Sequence, residues 1–181
     1  MKDLSMHIMD IVQNSVRAKA GNVTLSISLD EQWLTIKVED DGSGMDKETL
    51  EKVTDPFYTS RTTRKVGMGI PLILQNAELT DGNMTLESEL GKGTTLIAKF
   101  GRTHIDRPPM GDIASTAAMM ITGNDGVNLQ FEVKKGADEF AISTNEVKEV
   151  MGDVDIRLPK VTSFLKEMIE ENLKELNIEF D

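Results

Sequence analysis

The chain has 181 residues, 39% of them apolar, no cysteine and a net charge of −11. That length suggests one domain, or one domain with a smaller companion, with enough apolar residues for a buried core. The absent cysteines exclude disulfides, thiolate metal sites and a cysteine nucleophile, and the acidic balance argues against general nucleic-acid binding.

A helix is predicted first, over about residues 3–19, because Leu4, Ile8, Ile11, Val12 and Ser15 recur on one face. Two strands follow, with Val23, Leu25, Ile27 and Leu29 alternating, then Leu34, Ile36 and Val38. After the loop "DDGSGMD" comes a short helix near 47–54, with Asp46 as its N-cap. The stretch "DPFYTSRTTRKVGMGIP" is a basic, hydroxyl-rich loop that runs into a helix near 70–80 with Pro71 in its first turn. Met84, Leu86 and Leu90, the turn "GKGT", and Leu96, Ala98 and Phe100 then read as a hairpin. Helices on an antiparallel-rich sheet make this an α+β sandwich. The segment "HIDRPPMGD" (104–112) reads as a rigid linker to a second, small α/β unit over 106–181. That unit has a helix at 112–121, strands near 127–133 and 139–143, a short helix after Asn145 and a last amphipathic helix at 162–177. The second unit carries 16 acidic and 8 basic residues, against 15 and 12 in residues 1–105. A basic loop in an acidic chain points to a small anion as its ligand.

Four short motifs carry chemistry. On the first helix, His7, Asp10, Asn14 and Arg17 lie three or four residues apart and share a strip beside the apolar stripe. An amide, a carboxylate and a guanidinium there can serve a metal-bound phosphate, or form a solvated polar face. In "VEDDGSGMD", Asp40 keeps the parity of Leu34, Ile36 and Val38, so it points to the core side. A carboxylate there needs donors, and an adenine amino group is one. Gly42 and Gly44 would let the backbone approach a flat ring, or simply form a turn. A calcium loop is excluded because Leu50 stands where the closing acid belongs. "GMGI" is neither a P-loop nor a dinucleotide fingerprint. It leaves Gly67 and Gly69 at a helix N-terminus, which favours phosphate, with Arg61, Arg64 and Lys65 just upstream. The fourth motif, "GKGTTL", is satisfied as a plain hairpin turn.

The order of these motifs over residues 3–101 resembles the GHKL family of ATP-binding domains, which groups DNA gyrase, heat-shock 90 chaperones, histidine kinases and mismatch-repair ATPases. "DPFYTSRTTRKVGMGIPLI" is most similar to the sensor histidine kinases, and Arg17 stands where those kinases commonly carry lysine. The resemblance implies the GHKL-type sandwich, with helices on one face of a mixed sheet, and ATP and magnesium as ligands. By it, Asn14 holds magnesium, Asp40 binds the adenine amino group, and Gly42 and Gly44 border the ring. Residues 57–66 would form the ATP lid, with Arg61, Arg64 and Lys65. Gly67 and Gly69 would lie under the phosphates, and Thr94 would help close the adenine pocket.

Two departures bear on the reaction. Hydrolysing relatives place glutamate where this chain has Asp10, one methylene shorter, so Asp10 is a candidate base. The chain begins at the Asn14 motif, and neither His7 nor His104 resembles a phosphoacceptor. These points imply a stand-alone kinase or slow ATPase acting on a separate protein, like the anti-sigma-factor serine kinases. The alternative is a non-catalytic sensor whose ATP-ordered lid is read by a partner. No apolar run approaches the ~20 residues that span a bilayer, and the N-terminus lacks a signal-peptide core. The expectation is a cytoplasmic protein with no membrane segment.

Overall fold

The structure, a computed structural model, describes residues 3–55 and 69–181. Helix α1 (Leu4–Arg17) opens the described chain and leads into β1 (Asn22–Leu29), β2 (Trp33–Asp40), α2 (Lys47–Val53), α3 (Gly69–Leu79), β3 (Asn83–Glu89) and β4 (Gly93–Gly101). It continues through α4 (Ile113–Gly123), β5 (Asn128–Lys135), β6 (Asp138–Ser143), α5 (Thr144–Met151) and α6 (Pro159–Glu175). Among the described residues no helix is long and apolar enough to cross a membrane.

The strands form one six-stranded mixed sheet in the order β3-β4-β2-β1-β5-β6. Its core face is set by period-2 alternation held in register from strand to strand. Leu25 lies opposite Val38 on β2 and beside Phe131 on β5, and Val38 lies opposite Leu96 on β4. All four are buried, as are Ile27, Ile36, Ala98 and Val133 one pair along. The intervening residues, such as Thr24, Ser26, Thr35 and Lys37, are polar and only half-buried. One face is therefore covered by helices and the other is polar, as the α+β sandwich expectation requires.

Helix α1 seals the centre of the covered face with Leu4, Ile8, Ile11 and Val12. It starts where Asp3 accepts from the Met6 N–H at 3.0 Å, satisfying one of its orphan donors. Two further donors of its first turn, the N–H groups of Leu4 and Ser5, bond to the carbonyls of Pro109 and Met110, each at 2.9 Å.

Those bonds change the reading of residues 104–112. Besides capping α1, the segment is gripped from the far end of the chain. Arg107 donates to the Phe180 carbonyl at 2.7 Å, and Asp181 accepts from the Met110 N–H at 3.0 Å. Nor do residues 106–181 build a sheet of their own. Strand β5 pairs in parallel with β1, and β6 closes that edge antiparallel to β5. Both strands lie where the sequence reading put them, β5 by its alternation, but a period-2 pattern does not encode which neighbour a strand takes. Helix α6 packs on α4 and buries Val161, Leu165, Ile169 and Leu173, each worth about 1.5–3 kcal/mol.

Candidate functional site

A pocket of about 500 Å³ lies between the C-terminal half of α1 and the ends of β2 and β4. Ile11, Val38, Val53, Ile70 and Leu96 give it apolar walls, and Asn14, Ser15, Arg17, Asp40 and Thr94 bring polar groups into it. Apolar walls with a few fixed polar groups are the usual make-up of a small-molecule site.

Asp40 is held from two sides. The Ser15 hydroxyl donates to Oδ2 at 2.6 Å, and the Gly42 N–H donates to Oδ1 at 2.9 Å. A carboxylate offers about four lone-pair positions, so two bonds leave it able to accept more. Ser15, read in the sequence as part of the apolar stripe, is thus a polar partner inside it. The signal was there: a hydroxyl at a buried position needs an acceptor, and Asp40 points to the same side.

The next residue does a different job. Asp41 accepts from the N–H groups of Gly21 and Asn22, both at 2.8 Å, and from the Asn22 side chain at 2.9 Å. Led by the Asn22 side chain, these bonds hold its carboxyl below the usual carboxylate range. They tie the α1–β1 corner to the end of β2, beside the pocket.

Gly42 and Gly44 are required by packing. A Cβ on Gly42 would lie 2.9 Å from the Ala18 carbonyl oxygen and 3.0 Å from Asp40 Oδ1. Gly44 has φ +66°, and a Cβ there would fall 2.0 Å from the Glu89 carbonyl oxygen. Gly93 is equally confined, with φ +125° and a Cβ position 1.9 Å from the Asp40 carbonyl oxygen. The loop after β2 is therefore pressed onto the β3–β4 turn. Ser88 fastens it by accepting from the Met45 N–H at 2.8 Å, and its hydroxyl lies 2.9 Å from that of Thr94. Thr94 sits opposite Asp40 in the β2–β4 register.

The polar strip on α1 divides in two. Its C-terminal half faces the pocket: Asn14 and Arg17 line it, and Arg17 donates to Asn14 Oδ1 at 3.5 Å. The Asn14 Nδ2 atom is buried and has no partner among the described residues. The N-terminal half faces α3. His7 is buried, with Nε2 3.2 Å from the Asn76 amide nitrogen and Nδ1 unpartnered among the described residues. Burial pushes its pKa down. Asp10 abuts the first residue of α3: a Cβ on Gly69 would lie 3.0 Å from Asp10 Cβ. Asp10 does not line the pocket wall itself. Arg61, Arg64, Lys65 and Gly67, with the expected lid at 57–66, lie outside the described residues.

These groups fit an adenine nucleotide. The site has a pre-oriented carboxylate for an amino group, apolar walls for a flat ring, and an unsatisfied buried amide one helical turn beyond Asp10. No group of three or more His, Cys, Asp or Glu side chains is placed to hold a metal among the described residues.

Comparison with known proteins gives the family and the fold. Residues 2–104 match the family model described as histidine kinase-, DNA gyrase B- and HSP90-like ATPase. The chain is 34% identical over 93 residues to sporulation kinase C of Bacillus subtilis, covering 50% of this chain and 22% of that protein. It is 36% identical over 102 residues to the anti-sigma F factor of Clostridium acetobutylicum, covering 54% of this chain and 67% of that one. A solved structure, the N-terminal domain of a DNA repair protein, shares the fold with a TM-score of 0.58 at 14% identity. That match covers 87% of this chain and 59% of the repair protein's, so it extends past residue 104. The chain belongs to the histidine kinase-, DNA gyrase B- and HSP90-like ATPase family.

Proposed function

We propose that the chain binds magnesium-ATP in this pocket and acts as a protein kinase on a separate protein. The observation that carries the reading is Asp40, a carboxylate fixed by Ser15 and Gly42 inside an apolar cavity and still able to accept a donor. In this reading Asp40 receives the adenine amino group, with Thr94 beside it on β4. Asn14 holds the magnesium and Arg17 offers donors to phosphate. Bound ATP would supply a transferable γ-phosphoryl group.

Asp10 would accept the proton of the attacking nucleophile. It stands one turn before Asn14 on the same helix, next to the start of α3. A separate acceptor is supported by the burial of His7, which is 2% exposed and packed against Asn76. It is also supported by similarity to proteins named as a kinase and as an anti-sigma factor. The family's other mode, slow hydrolysis, uses the same groups with water as nucleophile.

ATP labelled at the γ-phosphate separates the outcomes. Label on a second protein in an extract of the source cells supports the kinase reading. Released phosphate alone supports hydrolysis, and binding with neither supports a sensor read through its ATP-bound state. Failure to bind ATP in the presence of magnesium refutes the proposal.

A further inference from the structure

Helix α6 has a second apolar surface besides the one it buries on α4. Phe164 is 58% exposed, and Val150 at the end of α5 is 84% exposed. The two side chains stand over a groove of about 100 Å³ between the helices, floored by Ile142, Val147, Leu165 and Met168. Clustered apolar side chains left in water usually mark a surface that something covers.

The rim indicates what covers it. Glu146 is the one polar residue among those lining the groove, one turn before Val150 on α5. Glu167 and Glu171 follow Phe164 at helical spacing on α6 and are exposed. None of the three is paired with a cation among the described residues. Of the nearby cations, Lys166 is paired with Asp112 and Glu170, while Lys148 lines a different hollow beside Asp125 and Arg157, and Lys174 lies one turn past Glu171 near the end of α6 with no ion pair among the described residues. Lys160, at the start of α6, is likewise without an ion pair among the described residues. Glu146 also accepts from the Ser143 hydroxyl at 2.9 Å, but it keeps its net charge, and an apolar slot between two helices flanked by three carboxylates without cation partners has the charge and shape complementary to an amphipathic helix with basic flanks.

We propose that the α5–α6 groove docks a basic amphipathic helix of a partner protein. A large apolar side chain sits between Val150 and Phe164, and Lys or Arg residues face Glu146, Glu167 and Glu171. A second copy of this chain fits less well, because a two-fold contact would set these carboxylates against each other.

The test uses the full chain, without nucleotide, and a labelled synthetic helix of leucine and lysine at helical spacing, with a leucine–glutamate helix as control. Fluorescence anisotropy should show saturable binding of the basic helix only. Phe164→Ser should weaken it about tenfold, as expected for an anchor at the centre of a small interface. Val150→Ser should also weaken it, and Glu167→Gln with Glu171→Gln should weaken it and flatten its dependence on salt. Val150, Glu167 and Glu171 are largely exposed, so their variants should leave the melting temperature nearly unchanged, while Phe164→Ser, which gives up the buried part of a 58%-exposed ring, should lower it only modestly. Unchanged affinity in both Phe164→Ser and Val150→Ser would overturn the proposal, since a peptide held by net charge alone would not sense a neutral substitution. Equal binding of the acidic helix would also overturn it. So would concentration-dependent dimerisation, or binding to phosphatidylcholine vesicles, that Phe164→Ser abolishes; these would assign the groove to a second copy or to lipid.

Discussion

Replacing Asp40 by asparagine tests the nucleotide site most directly, because the two protein bonds to its carboxylate constrain how the amide can sit. The Gly42 N–H must face an oxygen, since a donor there would meet a donor. The amide nitrogen therefore turns to Ser15, whose hydroxyl, now 2.6 Å from Oδ2, can reverse to accept. Its proton is then left with the Ile11 carbonyl at 3.5 Å, a weak alternative. The folded protein should lose about 1 kcal/mol, the difference between a charged and a neutral acceptor in a half-buried site. The nucleotide should lose more, because a charged acceptor for the adenine amino group is replaced by an amide donor. A bond to a charged group is worth about 1.5–3 kcal/mol, which predicts a rise in Kd of roughly 10- to 150-fold. Calorimetric titration with magnesium-ATP measures the second quantity, and urea unfolding without nucleotide measures the first. Ser15→Ala, which keeps the carboxylate and removes only its 2.6 Å bond, should fall between wild type and Asp40→Asn in affinity. If Asp40→Asn lowers stability as expected but leaves ATP affinity within twofold, Asp40 is a structural tie and the adenine assignment fails.

Asp10→Asn should leave ATP binding nearly intact and slow phosphoryl transfer or hydrolysis by about 10²–10⁴-fold, read from the release or transfer of γ-label; an unchanged rate removes Asp10 from the chemistry. Gly44→Ala should destabilise the fold by about 2 kcal/mol or more, because it adds left-handed strain and a Cβ against the Glu89 backbone, as a thermal or urea melt would show. Gly91→Ala, at φ +80° with nothing within 4 Å, carries only the strain and should cost about 1–2 kcal/mol; equal losses would refute the packing argument. For His7, burial lowers the folded-state pKa below its ordinary value near 6.5, so the unfolded chain binds its proton first as pH falls. Its effect is absent above about pH 6.5, and stability falls as pH drops from there toward the lowered folded value, by at most about 1.4 kcal/mol per pH unit. Urea melts at pH 7.5 and 5.5 should show that loss in wild type and less of it in His7→Gln.

The parts of the site that follow from local periodicity were legible in the sequence. Strand parity placed Asp40 on the core side, and helical spacing placed Asn14 and Arg17 together, because period 2 and period 3.6 are properties of the residues themselves. Contacts between distant segments were not. Ser15 looked apolar by position because its acceptor is 25 residues away. Gly42 and Gly44 read equally as room for a ligand or as a plain turn, since the Ala18 and Glu89 carbonyls that exclude a side chain there come close only once α1 and the β3–β4 hairpin are in place.

The junction at 104–112 shows the same limit and has a consequence for the site. Two adjacent prolines suggested a spacer because proline cannot donate to a sheet or extend a helix. Each still has a carbonyl, and the Pro109 and Met110 carbonyls cap the N-terminus of α1. The same segment is held by Arg107 and Asp181, so both ends of the C-terminal unit meet at the start of the helix that carries Asp10, Asn14 and Arg17. Strand β5 adds a second attachment, through its parallel pairing with β1. Residues 106–181 therefore support the candidate site from two directions, the cap of α1 and the edge of β1.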